Sequence, residues 1–149
     1  MKERITILLA DDHTLFRDGM RALLNSMPDT EVVGEANSAA QAVKEAEALQ
    51  PDVVLMDILM PSARGVVAAG ATTGNGIEAT RQIVSTSPHI GVIMVTMFED
   101  DDSVFAAMRA GARGYVLKGA DQAEMMRVIR AVAQGEALFG APVSYTHLT

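Results

Sequence analysis

Cysteine is absent from this chain of 149 residues, which removes disulfide bridges, thiolate metal sites and cysteine nucleophiles from consideration. Basic residues are scarce beside acidic ones, 12 Lys and Arg against 19 Asp and Glu, for a formal charge of −7. Affinity for a phosphate backbone comes from clustered Lys and Arg that release counterions, so this chain is not built to grip nucleic acid by itself. Any DNA contact needs a further part. No apolar run reaches the roughly 20 residues of a membrane span, and the opening MKERITILLA runs straight into a strand-like segment with no signal-peptide cleavage pattern. The expectation is a cytoplasmic chain with no membrane partner.

Apolar residues make up 49% of the chain and charged residues 21%, close to globular averages, and the length suits one domain. Five short runs rich in Ile and Val, at residues 5–10, 32–36, 53–56, 90–96 and 114–117, alternate with segments of helical period. The runs are continuous rather than alternating, as expected of parallel strands covered on both faces. Between them, helices are predicted at 14–27 (stopped by Pro28), 38–49 (opened by a Ser38 N-cap, stopped before Pro51), 76–87 (stopped by Pro88), 101–110 (stopped by Gly111) and 121–134 (stopped by Gly135). The sum is an α/β fold of five βα units. Crossover handedness and helix coverage favour an open, doubly wound parallel sheet.

Two segments break the rhythm. Residues 62–74, SARGVVAAGATTG, are longer than a usual βα loop, and their Gly, Ala and Thr content predicts a surface loop. The final VSYTHLT has no charge and no predicted partner, so the expected domain is 1–141 with residues 142–149 as a tail.

In such a sheet all strand C-termini open on one edge, where ligands bind. Asp11 and Asp12 end the first run and Asp57, in VVLMDILMP, ends the third. Converging carboxylates repel, so either their pKa values rise or a cation joins them. Oxygen donors without Cys suit Mg²⁺, which bridges carboxylates to phosphoryl groups. Thr96 and Lys118 end the fourth and fifth runs, a hydroxyl and an ammonium suited to phosphoryl oxygens. Each residue also has a plain structural reading: Asp12 as an N-cap, Thr96 as a strand residue, Lys118 as a solvated charge. His13 is read as the start of the first helix beside the acids, and the run 99–102 as an acidic helix N-terminus favoured by the macrodipole.

Taken together, ADDH at 10–13, VVLMDILMP at 53–61, GIEATRQI at 76–83, VTMFEDD at 95–101 and GARGYVLKGA at 111–120 resemble the receiver domain of bacterial two-component response regulators of the NarL/FixJ type. The resemblance covers roughly residues 4–141 and implies a flavodoxin-like sheet of strand order 2-1-3-4-5. It implies Asp57 as the phosphoacceptor for a histidine kinase, with Asp11, Asp12, Asp57 and the Leu59 carbonyl around Mg²⁺. Lys118 would pair with phosphoryl oxygens, Thr96 would move toward them, and Tyr115 matches the aromatic switch, its alternative being a Tyr that merely packs. It further implies a homodimer on phosphorylation, and DNA contact only through a helix-turn-helix domain beyond this chain.

The chain departs from that pattern in three places. Only two residues normally separate the Pro of the MP pair from the Asn-Gly that opens the third helix; here thirteen do, residues 62–74. Gly119 stands where many receivers carry proline. The tail resembles a translated sequencing-library adapter, which sets it aside from fold reasoning. Two other functions remain open at this point. One is a phosphate-independent pseudo-receiver; the other is a Mg²⁺-dependent aspartyl-phosphate hydrolase, which places a second Asp where this chain has Leu59.

Overall fold

The alternating runs and helical segments fold, in a computed structural model, into β1 (Ile5–Ala10), α1 (Thr14–Ser26), β2 (Thr30–Ala36), α2 (Ala39–Leu49), β3 (Val53–Asp57), α3 (Gly76–Thr86), β4 (Gly91–Thr96), α4 (Asp101–Ala110), β5 (Gly114–Leu117), α5 (Gln122–Ala133) and β6 (Leu138–Phe139). Residues 4–61, 75–97 and 100–139 are described; the predicted loop at 62–74 and the tail at 142–149 lie outside the described residues.

Every strand pairing is parallel, in the order β2-β1-β3-β4-β5-β6. The five predicted strands therefore take the expected order 2-1-3-4-5. The sixth is an addition to the expected five. Leu138 donates its N–H to the Arg113 carbonyl at 2.7 Å, and Leu138 and Phe139 lie in register with Gly114 and Tyr115. A two-residue strand has no periodicity to betray it.

Strand residues alternate between two cores. Leu8, Val54, Met56, Val92 and Met94 face α2, α3 and α4, where they meet Ala42, Ala46, Ile83 and Ala107. Ile7, Leu9, Val53, Leu55 and Ile93 face α1 and α5, where they meet Met20, Leu24, Met126 and Ile129. This double coverage is why the runs read as continuously apolar.

Local chemistry sets the element ends. Ser38, Asp100 and Asp121 accept hydrogen bonds from the backbone N–H of Gln41, Ser103 and Glu124, capping α2, α4 and α5. With Asp100 as cap and Asp101 and Asp102 in the first turn, the acidic run is a helix N-terminus as expected; Glu99 lies outside the described residues. Gly111 ends α4 at φ 104°, a left-handed conformation that a side chain would resist. β2 starts earlier than its apolar pattern, at Thr30, whose buried hydroxyl donates to the Leu24 carbonyl at 2.6 Å.

Register decides where the site falls. Ala10 is level with Ala36 and Met56, Asp57 with Val95, and Thr96 with Leu117. Asp11, Asp57, Thr96 and Lys118 thus leave one edge together.

Candidate functional site

Asp11 follows β1, Asp57 closes β3 and Lys118 follows β5, so the parallel sheet delivers two acids and an ammonium to one crevice. One ligand atom each from Asp11, Asp12, His13 and Asp57 lies within 4.8 Å of the others. The Asp11 and Asp57 side chains are 5% and 3% exposed, against 42% for Asp12. Lys118 Nζ lies 2.8 Å from Asp11 Oδ2 and 3.5 Å from Asp57 Oδ2. The Leu59 backbone N–H donates to Asp57 Oδ1 at 3.1 Å, and the His13 N–H to Asp11 Oδ1 at 2.7 Å. A carboxylate at the end of a buried strand is tolerable because these donors meet it.

They do not cancel the cost. Burial, and then the neighbouring Asp11 carboxylate, push the Asp57 carboxyl above its ordinary range; the Leu59 N–H, Lys118 and His13 oppose them without prevailing. An acid whose native pKa is raised binds its proton more tightly folded than unfolded. Stability is therefore fully present below the ordinary value of 3.8 and falls as pH rises from there through the raised native value. Asp57→Asn has no charge to bury, so at neutral pH it is expected to melt above the wild type, the gap shrinking as pH falls through the raised native value toward 3.8. A gap of constant size across a pH series of melting curves would contradict this.

Of the other residues singled out in the sequence, Asp12 is not the cap of α1. That position falls to His13, as its placement at the helix start implied, and the Asp12 carboxylate joins the cluster. Thr96 is buried at the end of β4, and its carbonyl accepts the Lys118 N–H at 2.7 Å. Tyr115 is fully buried in the core that contains Val104 and Ala107. Leu59 is 38% exposed beside Asp57.

Two residues of α1 belong to the site without any motif to announce them. The Phe16 ring lies 4.9 Å from Lys118 Nζ, close enough for a cation–π contact. Arg17 forks between the Asp11 carbonyl, 2.6 Å from Nη1, and Glu35 Oε1, 2.7 Å from Nε, tying the turn after β1 to the end of β2. Burial pushes the Glu35 carboxyl up, but hydrogen bonds from Arg21 and Arg17 outweigh it and hold it below its ordinary range. Within the helical pattern of α1, both look like ordinary face residues.

The donor set fits a hard divalent cation. Three carboxylates face one ammonium, and buried Asp11 Oδ2 has no aligned hydrogen-bond donor despite its ion pair with Lys118. Oxygens of this kind suit Mg²⁺, which keeps several waters and binds through one or two carboxylates.

Residues 7–130 match the family described as response regulator receiver domain. The chain is 41% identical over 132 residues to the transcriptional regulatory protein LiaR of Bacillus subtilis, covering 89% of this chain and 57% of LiaR. It is 38% identical over 138 residues to YxjL of the same organism, an uncharacterized transcriptional regulatory protein, covering 93% of this chain and 58% of YxjL. The chain thus spans little more than half the length of these relatives. Among solved structures, a LuxR-family two-component response regulator from Aurantimonas superposes with a TM-score of 0.83 at 32% identity, covering 96% of this chain and 94% of that one. The signal receiver domain of a NarL response regulator from Mycobacterium tuberculosis gives 0.78 at 28% identity, covering 90% and 99%.

Proposed function

We propose, from the premise that the chain belongs to the response regulator receiver family as a receiver domain of the LuxR/NarL type, that Asp57 is its phosphoacceptor. The donor is a sensor histidine kinase. An Asp57 carboxylate oxygen attacks the phosphorus of the kinase phosphohistidine, a P–O bond forms, the P–N bond breaks, and the ring, already protonated on its other nitrogen, leaves as neutral imidazole with the electron pair of the broken bond. The observation that carries the reading is the convergence of Asp11, Asp12 and Asp57 with Lys118 at one sheet edge.

Asp11, Asp12, Asp57 and the Leu59 carbonyl would hold Mg²⁺. When bound, the ion would offset the carboxylate charge and stabilise the negative charge of the transferring phosphoryl group. Lys118, released from Asp11, pairs with another phosphoryl oxygen. Thr96 offers its hydroxyl to a third, and Tyr115 repacks as Thr96 shifts. The switch is a two-state repacking of the face from α4 to α5, where Phe105 and Met108 are each 42% exposed. Shifting it needs only a few kcal/mol of differential contact.

A receiver of this kind is an acceptor rather than a turnover enzyme; beyond its own phosphorylation and dephosphorylation we assign it no catalysis. An aspartyl-phosphate hydrolase needs an acid two residues after the nucleophile, where this chain has apolar Leu59. In the longer protein, phosphorylation would drive homodimer formation and so control DNA binding by a helix-turn-helix domain outside this chain, in the cytoplasm.

Incubated with acetyl phosphate and Mg²⁺, the chain is expected to gain one phosphoryl group by mass spectrometry, and none when EDTA is present. Equal labelling with and without EDTA would rule out the cation's part, and no labelling under either condition, with a cognate kinase failing too, would rule out the acceptor.

A further inference from the structure

His13 is the member of the cluster that a magnesium site leaves unused. Its Nδ1 lies 3.0 Å from Asp11 Oδ1, 3.8 Å from Asp12 Oδ1 and 3.8 Å from Asp57 Oδ2, and 2.7 Å from Lys118 Nζ. These contacts conflict. Toward the Asp11 carboxylate the nitrogen has to present a proton, toward the Lys118 ammonium a lone pair, and one nitrogen cannot do both. On the same side, Asp11 Oδ2, on a side chain 5% exposed, faces the cluster with no aligned donor. A dication among them removes both conflicts: imidazole and carboxylates turn their lone pairs to one centre, and the ammonium is freed.

We propose that His13 makes this cluster a second kind of metal site, one that takes a borderline transition ion such as Zn²⁺ or Co²⁺ through His13 Nδ1 and the oxygens of Asp11, Asp12 and Asp57. The proposal rests on the reading of the three acids as a cation site. Donors around a tetrahedral zinc, bound at about 2.0–2.2 Å, stand roughly 3.4 Å apart. The nitrogen-to-oxygen separations of 3.0, 3.8 and 3.8 Å bracket that value. Imidazole is a favoured donor for such ions and a poor one for Mg²⁺, so His13 divides the two classes. Its side chain is 61% exposed and makes no capping bond to α1, so no helix cap is lost when its Nδ1 turns to an ion. With His13 among the donors, fewer positions remain for a phosphoryl oxygen.

The test is calorimetric titration of the whole chain with MgCl₂ and with CoCl₂, beside the visible absorption of the cobalt-loaded protein, for wild type, His13→Ala and Asp57→Asn. His13→Ala is expected to weaken Co²⁺ binding by about tenfold or more and to alter the cobalt spectrum, while Mg²⁺ affinity stays within about twofold. Asp57→Asn weakens both ions. Cobalt binding and spectrum unchanged by His13→Ala would overturn the proposal, as would equal losses for both ions, which make His13 a shaping residue only. Cobalt binding untouched by Asp57→Asn would place the ion elsewhere in the chain and overturn it too. A wild type that binds neither ion brings down the cation-site reading itself, an outcome told apart by the missing Mg²⁺ heat.

Discussion

Asp57→Asn is expected to abolish phosphoryl labelling by acetyl phosphate with Mg²⁺ present, leaving only background, in a protein that remains folded. The acceptor must be a carboxylate whose oxygen can form and hold an acyl phosphate, and an amide oxygen in the same place is a far weaker nucleophile. Asp11 and Asp12 stay in place in the variant, yet neither is expected to replace it: Asp11 is engaged by the His13 N–H and the Lys118 ammonium, and the Asp12 side chain is 42% exposed. Loss of labelling through unfolding is told apart by the variant's melting curve, expected at or above the wild type at neutral pH because burial raises the Asp57 carboxyl. Mass spectrometry of wild type and variant decides the matter, and undiminished labelling of the variant would move the acceptor to another residue.

Gly76→Ala is expected to be the most damaging single methyl group near the site, costing about 3 kcal/mol by overpacking. The backbone of Gly76 lies against the turn that follows β3, with its N–H donating to the Ile58 carbonyl at 3.1 Å. An alanine Cβ there would land on the Asp57 carbonyl oxygen and stand 2.8 Å from Ile58 Cα. Both are backbone atoms of the strand end, so no side chain can swing away to make room. The strain falls on the residue that carries the chemistry, and both the urea midpoint and the labelling rate should drop. Gly19→Ala, with nothing within 4 Å of the added atom, is the matched control. A Gly76 variant as stable as that control would disprove the clash.

The difference between these two glycines marks what could be read without coordinates. Asp57, Asp11 and Lys118 were legible because each directly ends an apolar run, and parallel strands must open on a common edge. The strand order and the covering of both faces followed from the same alternation. Gly76 was visible only as part of an Asn-Gly pair in a family resemblance. Its physical cause, a backbone packed on Asp57, needs two segments that meet only in space. His13 and Lys118 lie 105 residues apart, and their contact follows from no spacing. Arg17 hides for a related reason: in α1 it looks like any polar face residue, and its role depends on Glu35, brought alongside by β2. What stayed illegible was side chain meeting side chain across elements, together with a strand too short to carry a period.

The stem of the 62–74 segment has a use of a different kind. Pro61 is held by its carbonyl to the Ala39 N–H at 2.8 Å, and Asn75 by its N–H to the Met60 carbonyl at 3.2 Å, so chain departure and return are clamped side by side. Whatever is spliced between two such posts leaves the sheet register untouched, since loop closure costs grow only slowly with length. That makes the stem a port for engineering. A fluorescent reporter or a pair of new termini placed there would ride a few residues from Asp57, positioned to sense the charge that arrives on it.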